Sequence, residues 1–195
     1  MKKPVKIILG IMTALVLGTA LGAGAVILAF ENGASAAGVV NGPWHTSLAV
    51  GSQQADPYVR AWVAVHCLLG LPKEETLYYK AYTDDSGQLF SGDNVYRIEG
   101  RAPDARWWSI TVYGDDDFLI PNELNRYSFS NSTVTLDRDG KFTIYLAREK
   151  KAGNWLPLGD QKRFNLTLRL YNPGDTLSRN PATAKLPSIV REVGQ

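Results

Sequence analysis

The feature that most constrains this chain is an uncharged apolar segment near its N-terminus. From Ile7 to Phe30 the sequence has 24 residues without a charged side chain. As a helix rising about 1.5 Å per residue, the segment would extend roughly 36 Å, enough to cross a hydrocarbon core of about 30 Å with some tilt. We therefore expect residues 1–36 to act as a membrane segment and the following residues to fold as a separate domain.

The residues that flank this segment predict its orientation. Three lysines precede it and Glu31 follows it, so the positive-inside rule keeps the N-terminus in the cytoplasm and exports the remainder. The alternative is a signal peptide cleaved near Ala36, because Ala34-Ser35-Ala36 fits a small-x-small cleavage site, and the protein would then be secreted. The apolar cores of signal peptides usually span about 7–15 residues, which favours the uncleaved anchor.

Charge and reactive side chains exclude several functions for the exported part. After residue 36 there are 18 basic and 18 acidic residues and no basic run, so we expect no nucleic-acid partner. Cys67 is the single cysteine, which allows neither an internal disulfide nor a cysteine-based metal site. His45 and His66 are the only histidines. We therefore expect no bound metal and no cofactor.

The first part of the exported chain predicts a tether followed by a helix. Residues 37–52 are rich in Gly, Ser and Ala, and we interpret them as a tether to a domain of residues 53–195. Asp56 suits the N-cap position and Pro57 suits the first helical position. Apolar residues recur at helical spacing from residue 58 to residue 69, and others lie between them, which predicts a helix well covered by the domain.

After Pro72 the hydrophobic pattern changes from helical to alternating. Turn residues separate six segments that are predicted to be strands: 77–83, 95–100, 106–113, 133–137, 142–147 and 164–171. In the last of these, Phe164, Leu166, Leu168 and Leu170 share one face. Strands without intervening helices predict a mainly β fold. We expect an antiparallel β-sandwich or jelly-roll-like domain with one preceding α-helix, behind an N-terminal transmembrane helix.

The segment "RWWSITVYGDDDFLIPN", residues 106–122, has the most conspicuous side chains. Trp107 and Trp108 are adjacent on a predicted strand and must point to opposite faces, so at most one belongs to a given core layer. The other covers a second layer, an edge or a ligand groove. The aspartates at 115–117 follow Gly114 but lack the staggered oxygen ligands of a calcium loop. Turn chemistry is therefore the favoured interpretation of the triplet.

Several segments together resemble a known family. These are residues 106–122, "GNWLPLG" at 153–159, "FNLTLRLYNP" at 164–173 and the stretch from 56 to 92. They resemble the bacterial domain of unknown function 1214, over roughly residues 42–190. In larger relatives that domain follows domain of unknown function 1254, whose place a membrane segment takes here. The resemblance implies a β-sandwich-type domain and no established reaction, so the catalytic residues are unknown.

Two functions fit these observations. The first is an uncharacterised binding or accessory module of the cell envelope. It would be single-pass in the bacterial inner membrane through residues 7–30, with a periplasmic domain offering an aromatic groove to a carbohydrate, lipid or protein partner. The alternative is a carboxylate-dependent hydrolase acting on an envelope carbohydrate or a similar substrate, which needs two converging acids. The candidate ligand-binding residues are Arg106, Trp107, Trp108, Asp115, Asp116, Asp117, Asn122, Arg126 and Trp155.

Overall fold

The computed structural model describes residues 3–32, 38–66 and 70–192. Helix α1 spans Lys3–Asn32. Its residues 4–28 have a mean hydropathy of 2.2, so this helix is long and apolar enough to cross a membrane. The helix could be a membrane anchor or a signal sequence, because a signal sequence near the N-terminus also meets these criteria of length and composition.

The remaining described residues form a domain of strands with two short helices. The strands are β1 (Gly38–Asn41), β2 (Trp44–Ser47), β3 (Thr76–Ala81), β4 (Tyr96–Arg101), β5 (Ala105–Gly114), β6 (Ser128–Ser130), β7 (Lys141–Ala147), β8 (Asn154–Pro157), β9 (Phe164–Pro173) and β10 (Ser188–Arg191). Helix α2 spans Pro57–His66 and helix α3 spans Asp175–Arg179. A single 3-10 turn, Pro181–Thr183, follows α3.

The strands form two sheets. The larger sheet has the strand order β1-β2-β3-β9-β5-β6, and the smaller sheet has the order β10-β4-β7-β8. Neighbouring strands are antiparallel except β7 and β8, which run parallel. The predicted mainly β fold is therefore confirmed, with one parallel pair in the smaller sheet.

Apolar side chains from both sheets form one core between them. Leu166, Leu168 and Leu170 of β9 are fully buried, as the alternation of that strand predicts. Trp108 of β5 stacks on Phe142 of β7 with 4.9 Å between the ring centroids. This contact joins the centre of the larger sheet to the smaller sheet and makes the domain a sandwich.

The register of the larger sheet distinguishes its two ends. Strand β1 begins at Gly38 and runs toward the turn that leads to Trp44, the first residue of β2. Trp44 pairs with Ala81 of β3, and Ala81 pairs with Leu166 near the start of β9. We call the end with Gly38 the entry end, because the chain arrives there from α1. The opposite end, where β5 finishes at Gly114 and β9 begins, is the far end.

Residues 37–52 differ from the tether that we expected. Within this segment, residues 38–47 form the hairpin of strands β1 and β2, and β2 pairs with β3, so the hairpin is part of the larger sheet. Trp44 is fully buried, and its indole Nε1 donates a hydrogen bond to the carbonyl oxygen of Pro187 at 2.8 Å. A buried tryptophan with a satisfied N–H anchors the hairpin. The β domain therefore begins at Gly38 rather than at residue 53.

The prediction of a strand at residues 133–137 is wrong, because the structure has no strand there. The strand in this region is β6, which lies earlier in the chain and pairs with β5. The Thr135 N–H donates to Oδ1 of Asn154 at 2.8 Å, and its carbonyl oxygen accepts from Nδ2 of the same side chain at 2.9 Å. A side-chain amide thus takes the hydrogen bonds that a neighbouring strand would otherwise provide.

Helix α2 begins as predicted but is less covered than expected. Asp56 Oδ1 accepts hydrogen bonds from the backbone N–H groups of Tyr58 and Val59 at 2.8 and 3.0 Å, which is an N-cap. Tyr58 is 50% exposed. The half-buried Val59 and Val63 face the loop 49–55 across a groove, so α2 lies on the surface. The predicted end of the helix, with Cys67, lies outside the described residues.

A buried carboxylate, Asp84, organises the turn after β3. It is 3% exposed, and its Oδ1 accepts hydrogen bonds from the Ser86 hydroxyl at 2.6 Å and from the N–H groups of Ser86 and Gln88 at 2.9 and 3.0 Å. Burial raises the pKa of this carboxyl, but the hydrogen bonds outweigh burial and leave the pKa of Asp84 below its ordinary value.

We expect Asp84→Ala to lower the free energy of unfolding by about 2 kcal/mol at pH 7, because it removes hydrogen bonds to a charged group. A depressed pKa in the folded state stabilises the fold above the unfolded pKa of about 3.9, and this stabilisation is lost as the pH falls through and below that value. Chemical denaturation at pH 7 and pH 3 measures the effect. Asp139→Ala, in an exposed turn, is the control, and an Asp84→Ala loss that is the same at both pH values would contradict the argument.

Candidate functional site

The larger sheet presents a second set of side chains on the face directed away from the core, which we call the outer face. Its central part comes from β3, β9 and β5, where Tyr78 pairs with Arg169 and Arg169 pairs with Ser109. With strands about 4.8 Å apart, these three strands give a surface about 10 Å wide. Its residues are Tyr78, Lys80, Trp107, Ser109, Thr111, Tyr113, Asn165, Thr167, Arg169 and Tyr171.

The middle of the outer face is polar and its margins are aromatic. Ser109, Thr111 and Thr167 are buried beneath their longer neighbours and form a floor of hydroxyl groups. Trp107 is 37% exposed and meets the ring of Tyr171 edge to face, with 5.3 Å between centroids and an interplanar angle of 70°. A polar surface beside a partly exposed aromatic pair suits a ligand that has both polar and apolar sides.

Arg169 lies across the centre of the outer face. Its Nη1 donates to Thr111 Oγ1 at 3.2 Å, and its Nη2 donates to the Tyr113 hydroxyl at 2.8 Å. The guanidinium carbon is 5.6 Å from the centroid of the Tyr113 ring. Within the described part of the chain, no carboxylate lies within ion-pair distance of Arg169. The guanidinium is thus held by neutral hydroxyls and keeps donor capacity for a further acceptor.

A hydrogen-bonded ion pair closes the outer face at the far end. Lys80 Nζ is 2.7 Å from Asp117 Oδ1, which also accepts a hydrogen bond from Asn165 Nδ2 at 3.0 Å. Asn165 donates as well to the carbonyl oxygen of Gly114 at 3.0 Å, which ties the turn to β9. Asp117 has φ of 62°, a left-handed conformation that aspartate tolerates better than most residues.

The structure separates the candidate residues of the segment 106–122. Arg106 and Trp107 lie at the start of β5, and Asp115 and Asp116 follow its end, about 30 Å away along the strand. Asp115 and Asp116 are exposed, and Asp116 Oδ1 accepts the Phe118 N–H at 3.1 Å. These aspartates have the geometry of a turn, and the third, Asp117, is paired with Lys80.

The candidates Asn122, Arg126 and Trp155 do come together. The Asn122 side chain exchanges two hydrogen bonds of 3.0 Å with the backbone of Arg126. Arg126 Nη1 donates to the carbonyl oxygen of Trp155 at 3.4 Å, and its guanidinium lies 5.7 Å from the Phe129 ring centroid. Trp155 is buried and its Nε1 donates to the Ala147 carbonyl oxygen at 3.0 Å. The contacts of this group are those of a packed loop.

Trp108, the remaining candidate, is 1% exposed and belongs to the core. A surface ligand therefore has no access to it. Of the two adjacent tryptophans, only Trp107 lies on the outer face. Among the residues that the structure describes, no group of three or more His, Cys, Asp and Glu side chains could hold a metal ion.

Sequence reasoning missed Lys80, Tyr113 and Arg169 as candidates. The signal was present in the alternation, because Asn165, Thr167, Arg169 and Tyr171 occupy the polar side of β9. A polar side that includes Arg and Tyr is compatible with simple solvent exposure. Only the strand order places it between β3 and β5 and gives the guanidinium its two hydroxyl partners.

A β-sandwich of one antiparallel and one mixed sheet, with a polar and aromatic outer face and a preceding apolar helix, defines the class of this protein. Residues 75–175 match the family model described as "Protein of unknown function (DUF1214)". The chain belongs to this family. The matched residues contain all three strands that build the centre of the outer face. No curated protein sequence matches the chain.

Among solved structures, the chain is similar to the following two proteins. One is the VPA0106 protein from Vibrio parahaemolyticus, with 24% identity and a TM-score of 0.60 over 93% of this chain and 45% of that one. The other is an uncharacterised protein from Burkholderia cenocepacia, with 20% identity and a TM-score of 0.43 over 62% of this chain and 30% of that one. The chain thus spans less than half the length of either structure. The likeness to the Vibrio protein shows the fold alone.

Proposed function

We propose that this chain is a membrane-anchored binding module of the cell envelope, whose outer face binds a carbohydrate ligand. The observation that carries the proposal is the arrangement of Arg169. Its guanidinium is held by Thr111 and Tyr113 at the centre of a polar surface, and the partly exposed pair of Trp107 and Tyr171 lies on the same face. A side chain with unused donors on a rigid sheet suits recognition of a ligand rich in oxygen atoms.

Carbohydrate fits both parts of the outer face. The C–H faces of sugar rings are apolar and pack on aromatic side chains such as Trp107. Sugar hydroxyls both donate and accept, so they match the hydroxyl groups of Tyr113 and the donors of Arg169. Since Trp107 and Tyr113 are six residues apart on β5, the face extends about 20 Å along the strand, which suits an oligosaccharide.

Helix α1 supports the anchoring part of the proposal. Its uncharged residues 7–30 follow three lysines, so the helix would hold the β domain on the outer side of an inner membrane. The entry end of the sandwich would then be nearer to the membrane than the far end. Nothing in the turn 115–117 favours the hydrolase alternative, because Asp117 is paired with Lys80 and its two neighbours are exposed.

We expect Trp107→Ala and Arg169→Gln each to lower the affinity for the bound oligosaccharide at least tenfold, or about 1.4 kcal/mol. The test uses full-length protein in detergent micelles and a panel of soluble envelope oligosaccharides prepared from peptidoglycan and lipopolysaccharide, with binding measured by calorimetry. Tyr58→Ala on α2 and Arg138→Gln in the turn before β7 are the matched aromatic and cationic controls. Equal affinity in all five proteins, or no binding by the wild type, would overturn the proposal.

A further inference from the structure

A groove of about 680 Å³ opens at the far end of the sandwich. It lies between residues 89–93 and residues 160–163, with Arg148 at one side. Three basic side chains line it, those of Arg148, Lys162 and Arg163. We call it the cationic groove. It shares no lining residue with the outer face, so a ligand here is separate from the carbohydrate proposed above.

The walls of the cationic groove are held in place by the backbone. The Gly92 N–H donates to the carbonyl oxygen of Lys162 at 3.0 Å. A Cβ atom at Gly92 would lie 1.8 Å from the carbonyl oxygen of Gln161, so only glycine allows the two loops to approach this closely. Behind them Phe90 is buried and stacks on Phe164 with 4.8 Å between centroids. The groove is therefore a fixed feature of the fold.

The charges of the cationic groove do not cancel. Arg148 Nη2 is 3.0 Å from Asp93 Oδ1 and also donates to the Gln161 carbonyl oxygen at 3.2 Å, so one cation is neutralised and oriented. Lys162 and Arg163 are exposed and form no ion pair within the described residues. Asp160 is the one carboxylate that remains beside them in the lining. The groove thus keeps one net positive charge.

We propose that the cationic groove binds a ligand with a single anionic group, a carboxylate or a phosphate, seated between Lys162 and Arg163. Arg163 offers a planar set of donors that matches either oxyanion, and Lys162 supplies a second positive charge. The exposed side chain of Leu89 gives an apolar surface for the remainder of the ligand. Because the backbone of both loops is already held, the conformational cost of binding falls mainly on the side chains of Lys162 and Arg163.

The test measures binding of butyrate, butyl phosphate and neutral butanol to full-length protein in detergent micelles by calorimetry. For whichever anion binds, we expect the double variant Lys162→Gln/Arg163→Gln to bind at least tenfold more weakly than the wild type. The two anions distinguish a carboxylate from a phosphate ligand. A matched double variant, Arg138→Gln/Lys141→Gln, removes two exposed cations, one in the turn before β7 and one at the first residue of β7, and should bind like the wild type.

Three outcomes would overturn the cationic groove as an anion site: no binding of either anion, equal binding of butanol, or unchanged affinity in Lys162→Gln/Arg163→Gln. The test also separates the groove from the outer face. Trp107→Ala should leave anion binding unchanged, and Lys162→Gln/Arg163→Gln should leave the binding of uncharged oligosaccharides unchanged. Thermal unfolding of each variant confirms that the exposed substitutions preserve the fold.

Discussion

Trp108→Ala is expected to lower the free energy of unfolding by about 3–5 kcal/mol, the range for a large buried aromatic residue replaced by alanine. Trp108 is fully buried and stacks on Phe142 of the opposite sheet. Its removal would leave a cavity at the contact that joins the two sheets, and the surrounding side chains would lose their dispersion contacts. Chemical denaturation of the full-length protein in detergent micelles, followed by circular dichroism, measures the loss.

The neighbouring tryptophan provides the control for this prediction. Trp107 lies on the outer face, where its ring meets Tyr171 edge to face, so Trp107→Ala should cost only about 1 kcal/mol. Trp108→Phe should cost less than Trp108→Ala, because no described residue accepts a hydrogen bond from the buried indole Nε1. Equal losses for Trp107→Ala and Trp108→Ala would contradict the assignment of these residues to opposite faces.

Strands that bury one face were predictable from the sequence. In β9 the apolar residues Leu166, Leu168 and Leu170 alternate with polar ones, and the structure buries them as that period requires. The same reasoning placed Trp107 and Trp108 on opposite sides of β5. Apolar and polar residues alternate along a strand when one of its faces packs on the core and the other does not. Predicting a strand from this alternation is therefore most reliable for central strands of a sheet that has the core on one side only.

Strands without an alternation of apolar and polar residues were not predictable in the same way. All four residues of β8 (Asn154–Pro157) are buried, so the segment has no polar face to mark its period. Residues 133–137 have β-branched side chains in the expected positions, but the backbone of Thr135 is satisfied by the side chain of Asn154. Composition favours an extended segment here, and a contact nineteen residues away decides that it is not part of a sheet.

The candidate site shows the same limit. The sequence indicates which side chains share a face of one strand, as Trp107, Thr111 and Tyr113 do. It does not indicate which strands are neighbours, and Arg169 reaches Thr111 and Tyr113 only because β9 lies beside β5. Likewise Asp117 was identified within an acidic turn, but its pairing with Lys80 depends on the tertiary fold. Groups assembled from separate strands need the topology as well as the sequence.

Placing two arginines in the centre of α1, as Leu17→Arg/Leu21→Arg, should abolish stable retention in the membrane. Each arginine costs about 2.5–3.5 kcal/mol at the centre of a membrane-spanning helix, so the pair costs about 5–7 kcal/mol. Both leucines are exposed in the structure and so do not pack on the β domain. The measurement is the fraction of protein that stays with the membrane after an alkaline carbonate wash.

Leu17→Ala/Leu21→Ala is the control, because it keeps α1 uncharged and should stay with the membrane.

N-terminal sequencing of the wild-type protein from the membrane fraction separates an anchor from a signal peptide. An anchor retains residues 1–36, since the positively charged start and the apolar run both remain on the mature chain. A mature chain that starts at Ala37 would show that α1 is removed after export, and the proposed anchoring by this helix would then be wrong.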